Sequence, residues 1–190
     1  MTPKPKRTEA TTAFFELVLR PTSGATEVKS RQDIWKGPTW TRAIFGAGEA
    51  DEATRWTMED MNGFEAYFPA YTYWHQEQNA AVVKFTTSVA DLLLCPVQPS
   101  FAVTSQKLGT VHAVWLLSSR VRRPFEASLA DALARRLGGK GTPLIPVPGT
   151  ADYDLARTDG GEYEFEALEA AVRSMPTRRA AGIQEDRVNA

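Results

Sequence analysis

The chain is poor in the residues on which many common chemistries are built. Its one cysteine, Cys95, excludes an internal disulfide and a cysteine-rich zinc site. Only two histidines occur, His75 and His112. There is no HExxH, no paired CxxC, no GxSxG, and no GxGxxG between a strand and a helix. Charge of one sign is not in excess: 22 Lys+Arg stand against 23 Asp+Glu, a formal net charge of -1. A chain-wide basic field gripping nucleic acid or an anionic membrane is therefore excluded, and any such contact must come from a local patch. No apolar run approaches the roughly 18–20 residues of a membrane span. The basic start, Met1 to Arg7, is not followed by a secretory apolar segment. The expectation is a soluble cytoplasmic protein with no membrane partner.

What is present suffices for one folded domain. The 190 residues are 43% hydrophobic and 24% charged, an ordinary globular balance. Residues 1–12, with prolines at 3 and 5, read as a flexible tail, 13–176 as a single domain and 177–190 as a frayed C-terminal tail. Phe14 to Leu19 fits helix or strand, and Thr22 to Ser30 reads as a loop. Ile34 to Phe45 suits a strand pair turning at Gly37-Pro38, and Asp51 to Met61 a short helix. Phe64 to Trp74 is aromatic and broken by Pro69, while Ala81 to Leu94 holds the β-branched run Val82 to Thr87. Phe101–Ser105 and Thr110–Leu117 predict two strands joined by a hairpin of about four residues. Pro124 opens a helix whose Phe125, Leu129, Leu133 and Leu137 predict an apolar stripe on the sheet, stopped by Gly138-Gly139. Gly161 to Met175 predicts another helix. Strands in series followed by a flanking helix give an α+β fold with an antiparallel sheet.

Few positions carry chemistry. Alternation along Thr110 to Leu117 sets His112 on one face with Thr110, Val114 and Leu116, opposite Val111, Ala113 and Trp115. His112 is either a histidine filling the polar edge of a buried sheet or a base or phosphate-binding donor; the functional reading expects it to face a concave surface. Asp91, after an apolar run, must be exposed, paired or bound to a cation, because an unpaired buried charge is costly. Cys95 is a poor nucleophile: Pro96 follows and its flanks are apolar rather than electropositive. Lys107, Arg120, Arg122, Arg123 and Lys140 cluster in the chain around the His112 strand and suit nucleic-acid phosphates. The aromatics from Trp35 to Trp74 suit a core, a stacking platform for single strands, or an interface.

In order along the chain come Asp91, Pro99 to Ser105, Gly109 to Leu117, the helix ending Arg135-Arg-Leu-Gly-Gly139, and Pro146-Val-Pro-Gly-Thr150. This succession, across roughly Phe64 to Asp154, resembles the archaeo-eukaryotic primase-polymerase superfamily in its phage and plasmid replication form. The resemblance implies an antiparallel, RRM-like core with flanking helices, and two-metal nucleotidyl transfer. It implies catalytic roles for Asp91 and His112, with Asp91 a metal ligand and His112 on the nucleotide phosphates. Ser105, Thr110 and Lys140 fall at further nucleotide-binding positions, Thr110 replacing the usual Ser. The implied partners are nucleotides, nucleic acid and other replication proteins, with Mg²⁺ or Mn²⁺ if the domain is active and otherwise no cofactor.

The motifs also depart from that pattern. Leu93 stands where the second carboxylate of Asp-x-Asp belongs, and Lys140 where an Asp follows Gly-Gly. Pro146 replaces the usual Arg, and Asp152 the usual Asn. Two explanations follow. Either Glu77, Asp152 or Asp154 supplies the missing ligands and the chain is an active primase-polymerase, or the fold persists with a degenerate catalytic site. A non-enzymatic interaction module is the alternative of a different class.

Overall fold

Among the described residues the longest strand is Thr110–Arg122, of 13 residues, and everything else is arranged about it. Val111 to Leu117 are all buried, so the strand is covered on both faces, and its residues are apolar apart from His112. The computed structural model describes residues 5–20, 26–34, 37–62, 71–74, 77–86, 95–142, 144–150, 152–158 and 160–176. In chain order the elements are α1 (Pro5–Val18), β1 (Thr26–Ile34), β2 (Gly37–Phe45), α2 (Ala50–Asn62), β3 (Tyr71–Trp74), β4 (Glu77–Phe85), β5 (Phe101–Ser105) and β6 (Thr110–Arg122). They continue with α3 (Arg123–Leu137), β7 (Lys140–Gly141), β8 (Ile145–Pro146), β9 (Tyr153–Arg157), β10 (Glu162–Tyr163) and α4 (Phe165–Ser174).

The strands form two sheets. The first has the order β2-β1-β3-β8, all antiparallel. The second has the order β7-β4-β6-β5-β9, also antiparallel, with β10 added parallel to β6. Alternation splits the second sheet into two apolar faces. One carries Val82, Phe101, Val103, Val114 and Leu116 into a core shared with α1, α2 and the first sheet. The other carries Ala81, Val83, Phe85, Ala113, Trp115 and Leu117 under α3 and α4. The α+β, antiparallel expectation is met.

Several segments differ from the sequence expectation. Part of the segment read as a tail is helix: α1 begins at Pro5, and Thr11 is fully buried, its hydroxyl donating to the Pro148 carbonyl at 2.7 Å. The start of α1 is too polar to announce itself. It is held by tertiary docking of Phe14, Phe15 and Val18 rather than by a marked apolar stripe. Residues 177–190 lie outside the described residues. Part of the segment read as a loop, from Thr26 onward, is β1, which pairs with β2 over its whole length. Gly37 and Pro38, read as the turn, are strand residues of β2, paired with Ile34 and Asp33 of β1. Strand β9 was not anticipated, because Asp152, Asp154 and Arg157 interrupt and flank its few apolar residues.

Helix α3 matches its expected limits, with proline in its first turn and Gly138 beyond its end in the left-handed region (φ 82°), its N–H donating to Ala134 O at 2.8 Å. The expected stripe is only partly right. Leu129 and Leu133 are buried, and Ala130 and Ala134 join them, but Phe125 is 58% exposed. The chain has only just left β6 at Phe125, so the first turn lies beyond the sheet contact, and the buried face drifts onto the adjacent alanines.

Candidate functional site

The register of the second sheet decides which side chains are neighbours. Lys84 of β4 lies opposite His112 of β6, and on its other side opposite Lys140 of β7. His112 in turn lies opposite Val103 of β5, which faces Leu155 of β9. Directly opposed residues project from the same face, about 4.5–5.5 Å apart at Cβ. One row therefore reads Lys140, Lys84, His112, Val103, Leu155. The next row holds Thr110, Ser105 and Tyr153. Both rows continue the face whose other end is buried against α1 and the first sheet.

Two glycines make this row possible. A Cβ on Gly139 would meet Val83 Cγ1 at 2.5 Å and the Phe85 ring at 2.7 Å. A Cβ on Gly141 would meet the Asp131 carboxylate at 2.6 Å. Both glycines thus point toward the α3 side, and the alternation between them turns Lys140 to the His112 face. Gly149, in the left-handed region (φ 83°), lets the Pro148-Gly149-Thr150 turn approach α1: a Cβ there would meet Arg7 O at 2.3 Å.

His112 is buried, at 6% exposure, rather than open to a concave surface as expected. Its ring meets Tyr153 edge-on, centroids 6.4 Å apart. Its Nδ1 is enclosed with no hydrogen-bond partner among the described residues, and so is the Thr110 hydroxyl. Burial, followed by the nearby Lys84 ammonium, pushes the His112 pKa down to about 4, so the imidazole is neutral at ordinary pH. Lys84 and Lys140 are both exposed. The histidine thus sits at a boundary, buried beside the Tyr153 ring, with Lys84 on the neighbouring strand and Lys140 one strand further.

Ser105 is committed elsewhere. Its hydroxyl donates to Asp152 Oδ2 at 2.5 Å, Lys107 N–H donates to the same oxygen at 3.1 Å, and Leu108 N–H donates to Ser105 Oγ at 3.0 Å. Together these bonds clip the β5–β6 turn to the start of β9. The Asp152 charge and burial raise the Tyr153 pKa, burial being the larger cause.

The other candidates are dispersed. Asp91, the expected metal ligand, lies outside the described residues, as does His75. Glu77 pairs with Arg122 at the far end of β4 from Lys84, and Asp154 pairs with Thr104, on the opposite face from His112. Neither can therefore complete a metal site beside His112, which corrects that alternative. Asp152 is on the correct side, but its Oδ2 already accepts two hydrogen bonds. Among the described residues no three His, Cys, Asp or Glu side chains converge on a common point.

The basic cluster also divides. Lys107 lies in the turn before β6, whereas Arg120 and Arg122 lie at its other end, about 40 Å away along a strand rising about 3.3 Å per residue. Arg123 opens α3 at that far end. Chain proximity overstated spatial proximity because a strand is extended. Of the aromatics from Trp35 to Trp74, the described side chains Phe45 and Trp56 pack edge-on at 6.0 Å, as core. A pocket of about 230 Å³ lies between α3 and α4, lined by Arg135, Arg136 and Arg173 among others, on the side of the sheet away from His112.

Sequence reasoning missed Lys84. The signal was present: it is the one charge within Val82-Val83-Lys84-Phe85 and alternates onto the same face as buried Val82. Its neighbours were not readable, because they depend on register with β6 and β7.

No family model matches the chain, and no curated protein matches it. Solved structures do. Primase RepB' superposes with a TM-score of 0.66 at 13% identity over 88% of this chain, which spans 62% of that longer protein. The catalytic domain of primase RepB', in complex with initiator DNA, gives 0.65 at 14% identity, covering 88% of this chain and 94% of the domain. The AEP domain of the cyanophage S-2L primase-polymerase gives 0.57 at 12% identity, covering 88% and 97%. This chain has the archaeo-eukaryotic primase-polymerase fold. The order of motifs read from the sequence therefore corresponds to a real architecture. Of the residues that the resemblance assigns to a metal, Asp91 lies outside the described residues. Lys140 occupies the position expected of a carboxylate and stands beside a second lysine, and among the described residues no carboxylate cluster compensates. Among those residues no helix is long and apolar enough to cross a membrane.

Proposed function

We propose that this chain is a replication-associated primase-polymerase-like domain of a phage, plasmid or other mobile element. It binds nucleotide or nucleic acid and is degenerate in catalysis. The observation that carries this reading is the row Lys140–Lys84–His112 on a sheet face of primase-polymerase architecture. The row can attract and hydrogen-bond phosphate oxygens. It cannot hold two divalent ions at a fixed separation, since that requires several carboxylate oxygens. At the other end of β6, Arg120, Arg122 and Arg123 supply positive charge for a nucleic-acid backbone. Binding there falls by orders of magnitude between about 50 and 200 mM salt, and Arg122→Glu with Arg123→Glu reduces it; equal binding across that range counts against the patch.

The catalytic half of the reading is tested by primer-extension and primer-synthesis assays with Mg²⁺ and with Mn²⁺. The expected result is no extension by the unmodified chain. Extension that appears on combining Leu93→Asp with Lys140→Asp identifies the missing carboxylates as the cause. A second reading, an active metal-dependent DNA primase or polymerase, rests on the retained Asp91. Robust Mg²⁺-dependent extension abolished by Asp91→Ala establishes it and overturns the degenerate one.

A further inference from the structure

The pocket of about 230 Å³ between α3 and α4 has walls formed by Leu129, Ala132 and Val172, with Arg135, Arg136, Arg173 and one carboxylate, Glu169, around them. Two of these arginines are committed within the fold. Arg136 donates from Nη1 to Met175 O and from Nη2 to Arg173 O at 3.2 Å, closing the end of α4, and Arg173 pairs with Glu169 at 2.9 Å. Arg135 is exposed and has no ion pair among the described residues. Basic residues in the last turn of each helix are favoured by the helix dipoles. The dipoles do not account for what lies in line with Arg135. Phe125 precedes Leu129 by four residues and Ala132 by seven, so it continues the pocket-lining face of α3, and it is 58% exposed. A lone exposed apolar side chain needs no explanation. Here one helix face runs from an exposed aromatic ring, past a concave apolar wall, to a guanidinium with no ion pair among the described residues.

We infer that the α3–α4 groove is a docking site for an acidic, amphipathic segment of a protein partner, its apolar side chains on Phe125 and Ala132 and its carboxylates on Arg135 and Arg173. The inference does not depend on nucleotide or nucleic-acid binding by the opposite face. Charge complementarity selects the occupant: three guanidinium groups stand against the single Glu169 carboxylate. A guanidinium presents a planar fork of donors that matches a carboxylate. The apolar stretch between Phe125 and Ala132 calls for aliphatic or aromatic side chains, and aromatic and arginine side chains are the common anchors of protein interfaces. Apolar residues at helical spacing beside acidic ones are how an amphipathic helix fills a groove between two others. A nucleic-acid backbone suits the groove less well, because Glu169 would face its phosphates.

The test is an amide chemical-shift titration of the ¹⁵N-labelled full chain with a synthetic helical peptide that carries leucines at i, i+3, i+4 and i+7 and glutamates on its flanks. Two further probes are the same peptide with lysines in place of the glutamates and a single-stranded DNA oligonucleotide. The expected result is saturable shifts concentrated on α3 from Phe125 to Arg136 and on α4 from Glu169 to Arg173, caused by the acidic peptide and not by the basic one. Arg135→Glu should weaken that binding by roughly tenfold or more, the reversal of one charge in a carboxylate contact. Phe125→Ala should weaken it severalfold. Arg55→Glu makes the same change of charge at an exposed position on α2 and should leave it unaltered. Circular dichroism melts establish that a loss is not unfolding, and Arg135→Ala replaces Arg135→Glu if the latter melts early. Absence of binding by the acidic peptide overturns the inference, as do shifts centred elsewhere or an affinity that neither variant at Arg135 nor Phe125→Ala alters. Equal binding of the basic peptide overturns the charge argument and with it the inference. DNA that shifts the same amides and binds more tightly than the acidic peptide assigns the groove to nucleic acid instead.

Discussion

The two faces of the second sheet are built from the same strands and behave differently. Under α3 and α4 the face is apolar along its length, from Val83 and Phe85 through Ala113 and Trp115, and the one ring N–H there, Trp115 Nε1, donates to Val97 O at 3.1 Å. Toward α1 and the first sheet the face starts equally apolar, at Val82, Val114 and Phe101, then turns polar at His112, Thr110 and Ser105. The packing of the first face is explained by stability. The second leaves His112 Nδ1 and Thr110 Oγ1 without partners among the described residues and gathers positive charge, which stability does not explain. A face that departs from what stability asks of it is where the proposed function is to be tested.

The largest expected effect tests the apolar face. Leu133, fully buried under α3, should cost about 2–5 kcal/mol on Leu133→Ala in urea melts. Phe125→Ala, at an exposed position on the same helix, should stay within about 0.5 kcal/mol. Equal effects at the two positions would mean that α3 sits differently on the sheet.

The polar face should be sensitive to pH. His112 binds a proton less readily folded (pKa about 4) than unfolded (6.5), so the unfolded chain takes up the proton first as pH falls. The associated stability is full above pH about 6.5 and is lost as pH falls through about 4. The loss is on the order of 3 kcal/mol at most, at 1.36 kcal/mol per pKa unit. His112→Gln should flatten that limb in melts taken from pH 8 to pH 4; an unaltered limb would place the titration elsewhere.

Asp152→Ala removes the acceptor for Ser105 Oγ and Lys107 N–H, and should cost about 1–3 kcal/mol. Hydrogen exchange should speed up in the Gln106–Gly109 turn if the clip is what orders it. The smallest effect has the opposite sign. Lys140→Glu turns an opposed like-charge pair into an attractive one and should stabilise the free chain by about 0.2–1 kcal/mol, less in high salt. Gaining stability while losing the nucleotide or nucleic-acid binding proposed above is the signature expected of a functional residue held at a cost. A variant that loses both would assign Lys140 a structural role.

Much of the fold was legible because it is written locally. The β5–β6 hairpin, with Gly109 at its turn, and α3, with Pro124 inside its start and Gly138 past its end, follow from turn and cap chemistry within a few residues. Helix α2 fell within a residue of its expected limits. The resemblance carried by the motif order pointed to the architecture that the superposed primases share. The site was legible only in part. His112 was found by alternation on its own strand, but its contact with the Tyr153 ring came from β9, an element distant in the chain. Asp154 looked as eligible as Asp152 until β9 paired with β5 and set it on the other face.

The sequence by itself determined the class of the fold, the limits of α2 and α3, and the presence of Leu93 and Lys140 where the resemblance expects carboxylates. These are matters of residue type and local period, which hold whatever the strands pair with. Only the tertiary structure decided that Lys84 and Lys140 flank one another beside His112, that Lys107 and Arg122 stand at opposite ends of β6, and that Thr11 of α1 holds the Pro148 turn. Those facts depend on register between strands far apart in the chain. A slip of a single residue carries a whole row of side chains to the other face. Such a choice is made by the packed core on both sides of the sheet, not by any one segment.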